Sequence, residues 1–122
     1  MPEIISSATN PKVRYVRRLG ARSFRAHEGR MVLEGVRLVE EALAAGAIFH
    51  FVLVDERSAH TERGRRLVER LSASSIPLHR SEPSVLTAIS DTEAPPGLLA
   101  VVSQPTVGFP ETLDGVLVLD GI

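Results

Sequence analysis

A switch between strand-type and helix-type hydrophobic patterning, repeated from Arg30 onward, leaves few folds open to this chain. Arg30-Met-Val-Leu-Glu34 has the make-up of a short strand. Val36 to Ala45 follows as an amphipathic helix with Val36, Val39, Ala42 and Leu43 inward, and Gly46 ends it. Ile48 to Val54 is a nearly continuous apolar run, as expected of a strand covered on both faces. Thr61 to Leu71 is a helix with Leu67, Val68 and Leu71 inward, and Ile76 to His79 is a third strand. Ser81-Glu-Pro83 opens another helix whose apolar side is Val85, Leu86 and Ile89, and Gly97 to Ser103 is a fourth strand. Strands alternating with helices predict an α/β layered domain. The chain's 122 residues suffice for one such domain and its core, without disulfides or a structural metal.

The N-terminal region reads differently. Thr9-Asn10-Pro11 carries a capping side chain followed by proline, the pattern of a helix start. That helix is expected to reach about Leu19. A continuation past Gly20 to Phe24 would align Arg14, Arg18, Arg22 and Arg25 on one stripe, with Tyr15 beside it. The net charge of −1 conceals this asymmetry. Residues 1–37 hold eight basic groups against three acidic ones, whereas the rest of the chain holds six against twelve. A basic segment on an acidic body points to a polyanion surface, and thirteen of the fourteen basic residues are Arg, which suits bidentate phosphate contacts. An Arg stripe can follow a phosphate backbone while an aromatic ring stacks on an unpaired base. An ordinary solvated helix face is the competing reading.

Catalytic constellations are poor. The absence of cysteine excludes disulfides, thiolate zinc sites and a cysteine nucleophile. His27, His50, His60 and His79 have no spacing that pairs two on one helical face, and His27-Glu28-Gly29-Arg30 fails the zinc-protease pattern because Met31 stands fifth. No glycine-rich phosphate loop exists. Asp55-Glu56 and Glu40-Glu41 read as solvated surface. Glu34-Gly35-Val36-Arg37 joins a strand to a helix; the first-turn amides favour anions and Arg37 could reach a phosphate, although an i, i+4 pair with Glu41 explains it equally well. No apolar run approaches a membrane span and Met1 to Thr9 lacks a secretory pattern, so a cytoplasmic protein is the default expectation.

Pro105, Gly108, Pro110 and Gly115 mark Gln104 to Gly115 as a linker, after which Val116-Leu-Val-Leu-Asp120 has strand character. This strand either opens a further domain or adds an edge to the first sheet.

Four segments in order resemble one family, the SpoU/TrmH-type RNA ribose 2′-O-methyltransferases. They are Ile5-Ser-Ser-Ala-Thr-Asn-Pro-Lys-Val-Arg14, Met31-Val-Leu-Glu-Gly-Val-Arg-Leu-Val-Glu-Glu-Ala-Leu43, Ser90-Asp-Thr-Glu-Ala-Pro-Pro-Gly-Leu-Leu-Ala-Val-Val102 and Val116-Leu-Val-Leu-Asp-Gly-Ile122. The resemblance implies a three-layer α/β/α sandwich with a mixed sheet of about four strands, serving as the substrate-binding domain for structured ribosomal or transfer RNA. It places that domain at residues 1–104, a linker at 105–115, and the first strand of a knotted methyltransferase domain at 116–122. In the full-length family that second domain binds S-adenosylmethionine and forms the homodimer. No cofactor, metal or catalytic residue is expected within this chain, which is expected to be inactive alone. Matching positions carry over Asn10, Lys12 and Arg14 from the opening motif, and Glu34, Gly35 and Arg37 from the strand–helix junction, as RNA-binding candidates; Arg17, Arg18, Arg22 and Arg25 are added from the charge pattern. Three departures stand out: Pro96 occupies a usual Gln position, Met31 a usual Phe position, and the basic cluster Arg22-Ser-Phe-Arg25 is less compact. A stand-alone RNA-binding or ribosome-associated domain, and an α/β ligand- or protein-interaction domain with an incidental basic helix, are the alternatives.

Overall fold

A computed structural model describes residues 4–105 of the chain. Nine regular elements follow in order: α1 (Pro11–Arg18), α2 (Arg22–Glu28), β1 (Arg30–Glu34), α3 (Val36–Ala44), β2 (Phe49–Val54), α4 (Glu62–Ala73), β3 (Leu78–Arg80), α5 (Pro83–Ile89) and β4 (Leu98–Ser103), with a 3-10 turn over Glu56–His60. The strands form one mixed sheet in the order β1-β4-β2-β3. β4 is antiparallel to both neighbours, with Arg30 opposite Ser103 and Val54 opposite Leu98, and β2 is parallel to β3, with Val52 opposite Leu78.

Alternation within the strands sends side chains to two cores. Phe51, Leu53, Leu99 and Val101 face one side, where they meet Val13, Val16 and Leu19 from the α1 region and Val85 and Leu86 from α5. Val52, Val54, Leu98, Ala100 and Val102 face the other, under Val39 of α3 and Leu67 and Leu71 of α4. The result is the expected α/β/α sandwich. Each fully buried Leu in these layers contributes about 1.5–3 kcal/mol relative to exposure. Beyond β3, the backbone of Ile5 pairs with Arg80 and Glu82 at 2.8 and 2.9 Å, which covers that sheet edge. β1 forms the opposite edge.

The first helix, expected to about Leu19, ends at Arg18; the continuation to Phe24 that a single Arg stripe requires does not occur, because the chain turns through Leu19-Gly20-Ala21 and restarts as α2. Leu19 is almost fully buried and therefore pins the turn to the core, while Gly20 lowers the cost of leaving the helix. Arg14, Arg18, Arg22 and Arg25 consequently do not form one helical stripe. Asp55 is not solvated surface either, being 1% exposed. Its carboxylate caps the 3-10 turn by accepting from the Arg57 amide at 2.8 Å and pairs with the Arg57 guanidinium at 2.7 Å. Arg57 also donates to Thr87 and to the Pro83 carbonyl, tying this turn to α5. Gly97 closes against the same node with φ +79°. The predicted linker from 106 onward and the strand at Val116 to Asp120 lie outside the described residues.

Candidate nucleic-acid interface

The basic residues of the α1–α2 corner separate into those engaged in folding and those left free. Asn10 caps α1, its side chain accepting from the Lys12 amide at 2.9 Å. Lys12 is half-buried and lies close enough to His79 to help hold that imidazole below its usual pKa, the larger cause being burial. Arg18 stacks over Phe24, 4.1 Å from the ring centroid. Arg25 is half-buried and donates from Nη1 to the carbonyls of Leu19 and Gly20 at 2.9 and 3.0 Å, satisfying acceptors that the end of α1 leaves open. Arg14, Arg17 and Arg22 are exposed and make no ion pair among the described residues. α1 has no acidic residue at all.

Tyr15 is not a free stacking surface. Its hydroxyl donates to Glu28 at 2.6 Å and accepts from Arg30 at 3.2 Å, and its ring meets Phe24 edge-on at 5.7 Å. Burial, then the bond to Glu28, raises its pKa. The one acidic side chain of α2, Glu28, is thus engaged by tyrosine at one oxygen, with His27 3.9 Å from the other.

A second group gathers beside this corner. Glu34 ends β1, and its carboxylate accepts from the Ser90 hydroxyl and, at 3.2 Å, from the Asp91 amide. Gly35 turns the chain into α3 at φ +110° and donates to the Leu98 carbonyl at 3.0 Å. Two motifs more than fifty residues apart in sequence thus meet, the strand–helix junction and the Ser90–Gly97 segment. Between them and the α1–α2 corner lies a cleft of about 480 Å³, lined by Arg17, Arg25, Val32, Glu34, Ser90 and Leu99 among others. Arg37 does not join it. It projects from α3, 81% exposed, and pairs with Glu41 at 3.4 Å.

The sequence candidates thus divide three ways: Arg17, Arg25 and Glu34 at the cleft, with Gly35 next to Glu34; Asn10, Lys12, Arg14, Arg18 and Arg22 around the adjoining helices; and Arg37 on a helix that packs against the other face of the sheet. Ser90, Asp91 and Gln104 also line the cleft and escaped selection. Ser90 and Asp91 were visible only as part of a motif, not as partners of Glu34. Among the described residues no three His, Asp or Glu side chains converge as a metal site would require, and no helix is long and apolar enough to cross a membrane.

Comparison with known proteins decides the relationship. Residues 10–100 match the MRM3-like substrate binding domain family. The chain belongs to that family. An uncharacterized tRNA/rRNA methyltransferase of Synechocystis is 31% identical over 100 residues, covering 82% of this chain but 36% of its own length. An RNA 2′-O ribose methyltransferase of known structure superposes with a TM-score of 0.75 at 27% identity, over 94% of this chain and 41% of that protein. The SpoU methyltransferase AviRb from Streptomyces viridochromogenes, solved with AdoMet, gives 0.67 at 25% identity over 80% and 36%. The MRM3-like domain described here therefore spans well under half the length of these relatives.

Proposed function

We propose that this domain holds structured RNA, ribosomal or transfer, for a ribose 2′-O-methyltransferase. The observation that carries the reading is the set of uncompensated guanidiniums at the α1–α2 corner. Arg14, Arg17 and Arg22 are exposed with no acidic partner among the described residues, on a domain of a family defined by substrate binding. Guanidiniums in such an array hold phosphate oxygens with paired N–H donors, and they position an RNA without reading its sequence. Lys12 extends the basic surface, Asn10, Arg18, Gly35 and Arg25 act by shaping it, and Arg37, on the helix against the other sheet face, is a separate candidate contact.

Methyl transfer belongs, in this reading, to a further domain that supplies S-adenosylmethionine and the dimer contact, in a cytoplasmic protein. Residues 1–104 form the RNA-binding unit, 105–115 the connector and 116–122 the start of that further domain. The coverage of the relatives supports the division, as does the last backbone bond of the described domain, from the Gln104 amide to the Gly29 carbonyl at 2.9 Å. The cleft described above is ill suited to the cofactor itself. A sulfonium cation would lie beside the cationic side chains of Arg17 and Arg25. The contribution of this chain is to bind and orient RNA.

The test is titration of a structured ribosomal or transfer RNA fragment across a salt series, with an Arg14→Glu/Arg17→Glu/Arg22→Glu variant beside the unaltered chain. Binding should weaken steadily with salt and collapse in the variant, whose exposed positions leave folding intact. Salt-independent binding, or binding that survives charge reversal, would remove the corner from the account.

A further inference from the structure

The cleft beside the basic corner has the features of a receptor for one unpaired nucleotide, and this inference rests on the RNA-binding reading above. Its apolar lining includes Val32 of the edge strand, Leu99 and Ile89. Arg17 and Arg25 line it as well, together with Glu34 and Ser90, whose side chains are hydrogen-bonded to each other. A volume of about 480 Å³ falls within the roughly 300–1,000 Å³ of sites that enclose small organic molecules, with room for one nucleoside and its phosphate.

The distribution of polarity selects the ligand. A planar base covers the apolar lining, while phosphates on its 5′ and 3′ sides meet the same arginine array that tracks the backbone. Arg17, which makes no ion pair among the described residues, offers its donor fork to them, while Arg25 stays on the Leu19 and Gly20 carbonyls. Glu34 accepts a single bond on each oxygen, so each retains a lone pair for a further N–H donor. A duplex cannot fill such a recess, since a paired base stays in its stack. We propose that the cleft receives a single bulged or loop nucleotide of the bound RNA, its base edge turned to Glu34 and Ser90.

The lining suggests the assay. Among the described residues no aromatic ring lines the cleft, so a fluorescent base leaving the stack for this site loses its quenching neighbours and gains none. A hairpin RNA with a single 2-aminopurine bulge is titrated with the 122-residue chain, beside a fully paired hairpin of the same stem. The expected result is a fluorescence rise on binding the bulged RNA and a preference of about tenfold over the paired one, the factor given by burying roughly 55 Å² of base surface against apolar side chains. Ala88, exposed on α5 at the rim, allows the cleft to be narrowed without touching the core. Ala88→Leu should erase the preference while leaving paired-hairpin affinity and the thermal melt unchanged. Arg14→Ala, outside the cleft, should weaken both RNAs alike. Salt-dependent binding without a fluorescence change, or with a preference that Ala88→Leu does not alter, overturns the nucleotide site and leaves the RNA-binding reading standing. Failure to bind either hairpin overturns both.

Discussion

Replacing Gly97 by alanine should be among the most damaging single-methyl changes in this domain. Two penalties coincide there. The residue sits at φ +79°, where a side chain costs about 1 kcal/mol by itself. In addition, a Cβ would come within 2.5 Å of the Asp55 carboxylate oxygen and 2.9 Å of the Ser58 amide nitrogen. Neither is the free end of a flexible chain: Asp55 is buried and fixed by four bonds from Arg57. Relief requires the ion pair to move, and overpacking of this kind costs about 1–3 kcal/mol. The two together come to about 2–4 kcal/mol, a large share of the roughly 5–15 kcal/mol that holds a domain of this size. Gly29 is the control. It has φ +67°, but a methyl group there would meet nothing within 4 Å, so only the backbone penalty of about 1 kcal/mol applies. Urea unfolding followed by circular dichroism, with slopes compared to confirm the same transition, gives the difference directly. If Gly97→Ala and Gly29→Ala lie within about 1 kcal/mol of each other, the packing around Asp55 does not have the rigidity assigned to it.

Three further outcomes are expected. His79 and His50 both have pKa values lowered by burial, so the unfolded chain binds protons that the folded one refuses; stability should fall as pH drops through the ordinary histidine range, and His79→Phe, which also removes a buried Nε2 without a partner among the described residues, should flatten that slope in pH-dependent melts. Arg37→Ala should cost only about 0.3–0.5 kcal/mol of stability, the scale of an exposed i, i+4 pair, whereas Leu43→Ala in the same helix should cost about 2 kcal/mol; equal losses in denaturant melts would place Arg37 in the fold. Arg25→Ala should lower the melting temperature through loss of the carbonyl cap at the end of α1, while Arg22→Ala, exposed and unpaired, should leave it in place.

The layered fold was legible because hydrophobic period reports directly on which face a residue buries. β1 begins and ends where the pattern placed it, at Arg30 and Glu34, and β2 sends Phe51 and Leu53 to one core and Val52 and Val54 to the other, as a doubly covered strand must. The end of the first helix was legible at about Leu19, but its restart as a separate α2 was not, since Val13, Val16 and Phe24 keep helical spacing across the turn and all contact the same core. The burial of Asp55 was hidden for a different reason. Its neighbour Glu56 is exposed, and what buries the carboxylate is Arg57 together with a glycine more than forty positions away. Glu34 was legible as a motif position but not as a clamp, because its partners come from the far end of α5.

The separation of engaged from free cations yields the sharpest quantitative test. Residues 12–30 carry seven basic side chains, and a reading from charge alone would let all of them contact phosphate. On B-form DNA each contact contributes about −0.9 to the slope of log K against log salt, and on a single strand about −0.7, so seven contacts imply a slope of roughly −5 to −6. The structure withdraws three of them: Arg25 holds carbonyls, Arg18 lies on Phe24, and Arg30 is engaged with Tyr15. Lys12 is half-buried beside His79. Arg14, Arg17 and Arg22, with Lys12 as a fourth at most, leave a slope of roughly −2 to −3.5. A measured slope near −6 would mean that the RNA strips Arg18, Arg25 and Arg30 from their present partners, and the α1–α2 corner would then have to rearrange on binding. A slope in the lower range, lost in steps as Arg14, Arg17 and Arg22 are replaced singly, is what a preformed surface requires.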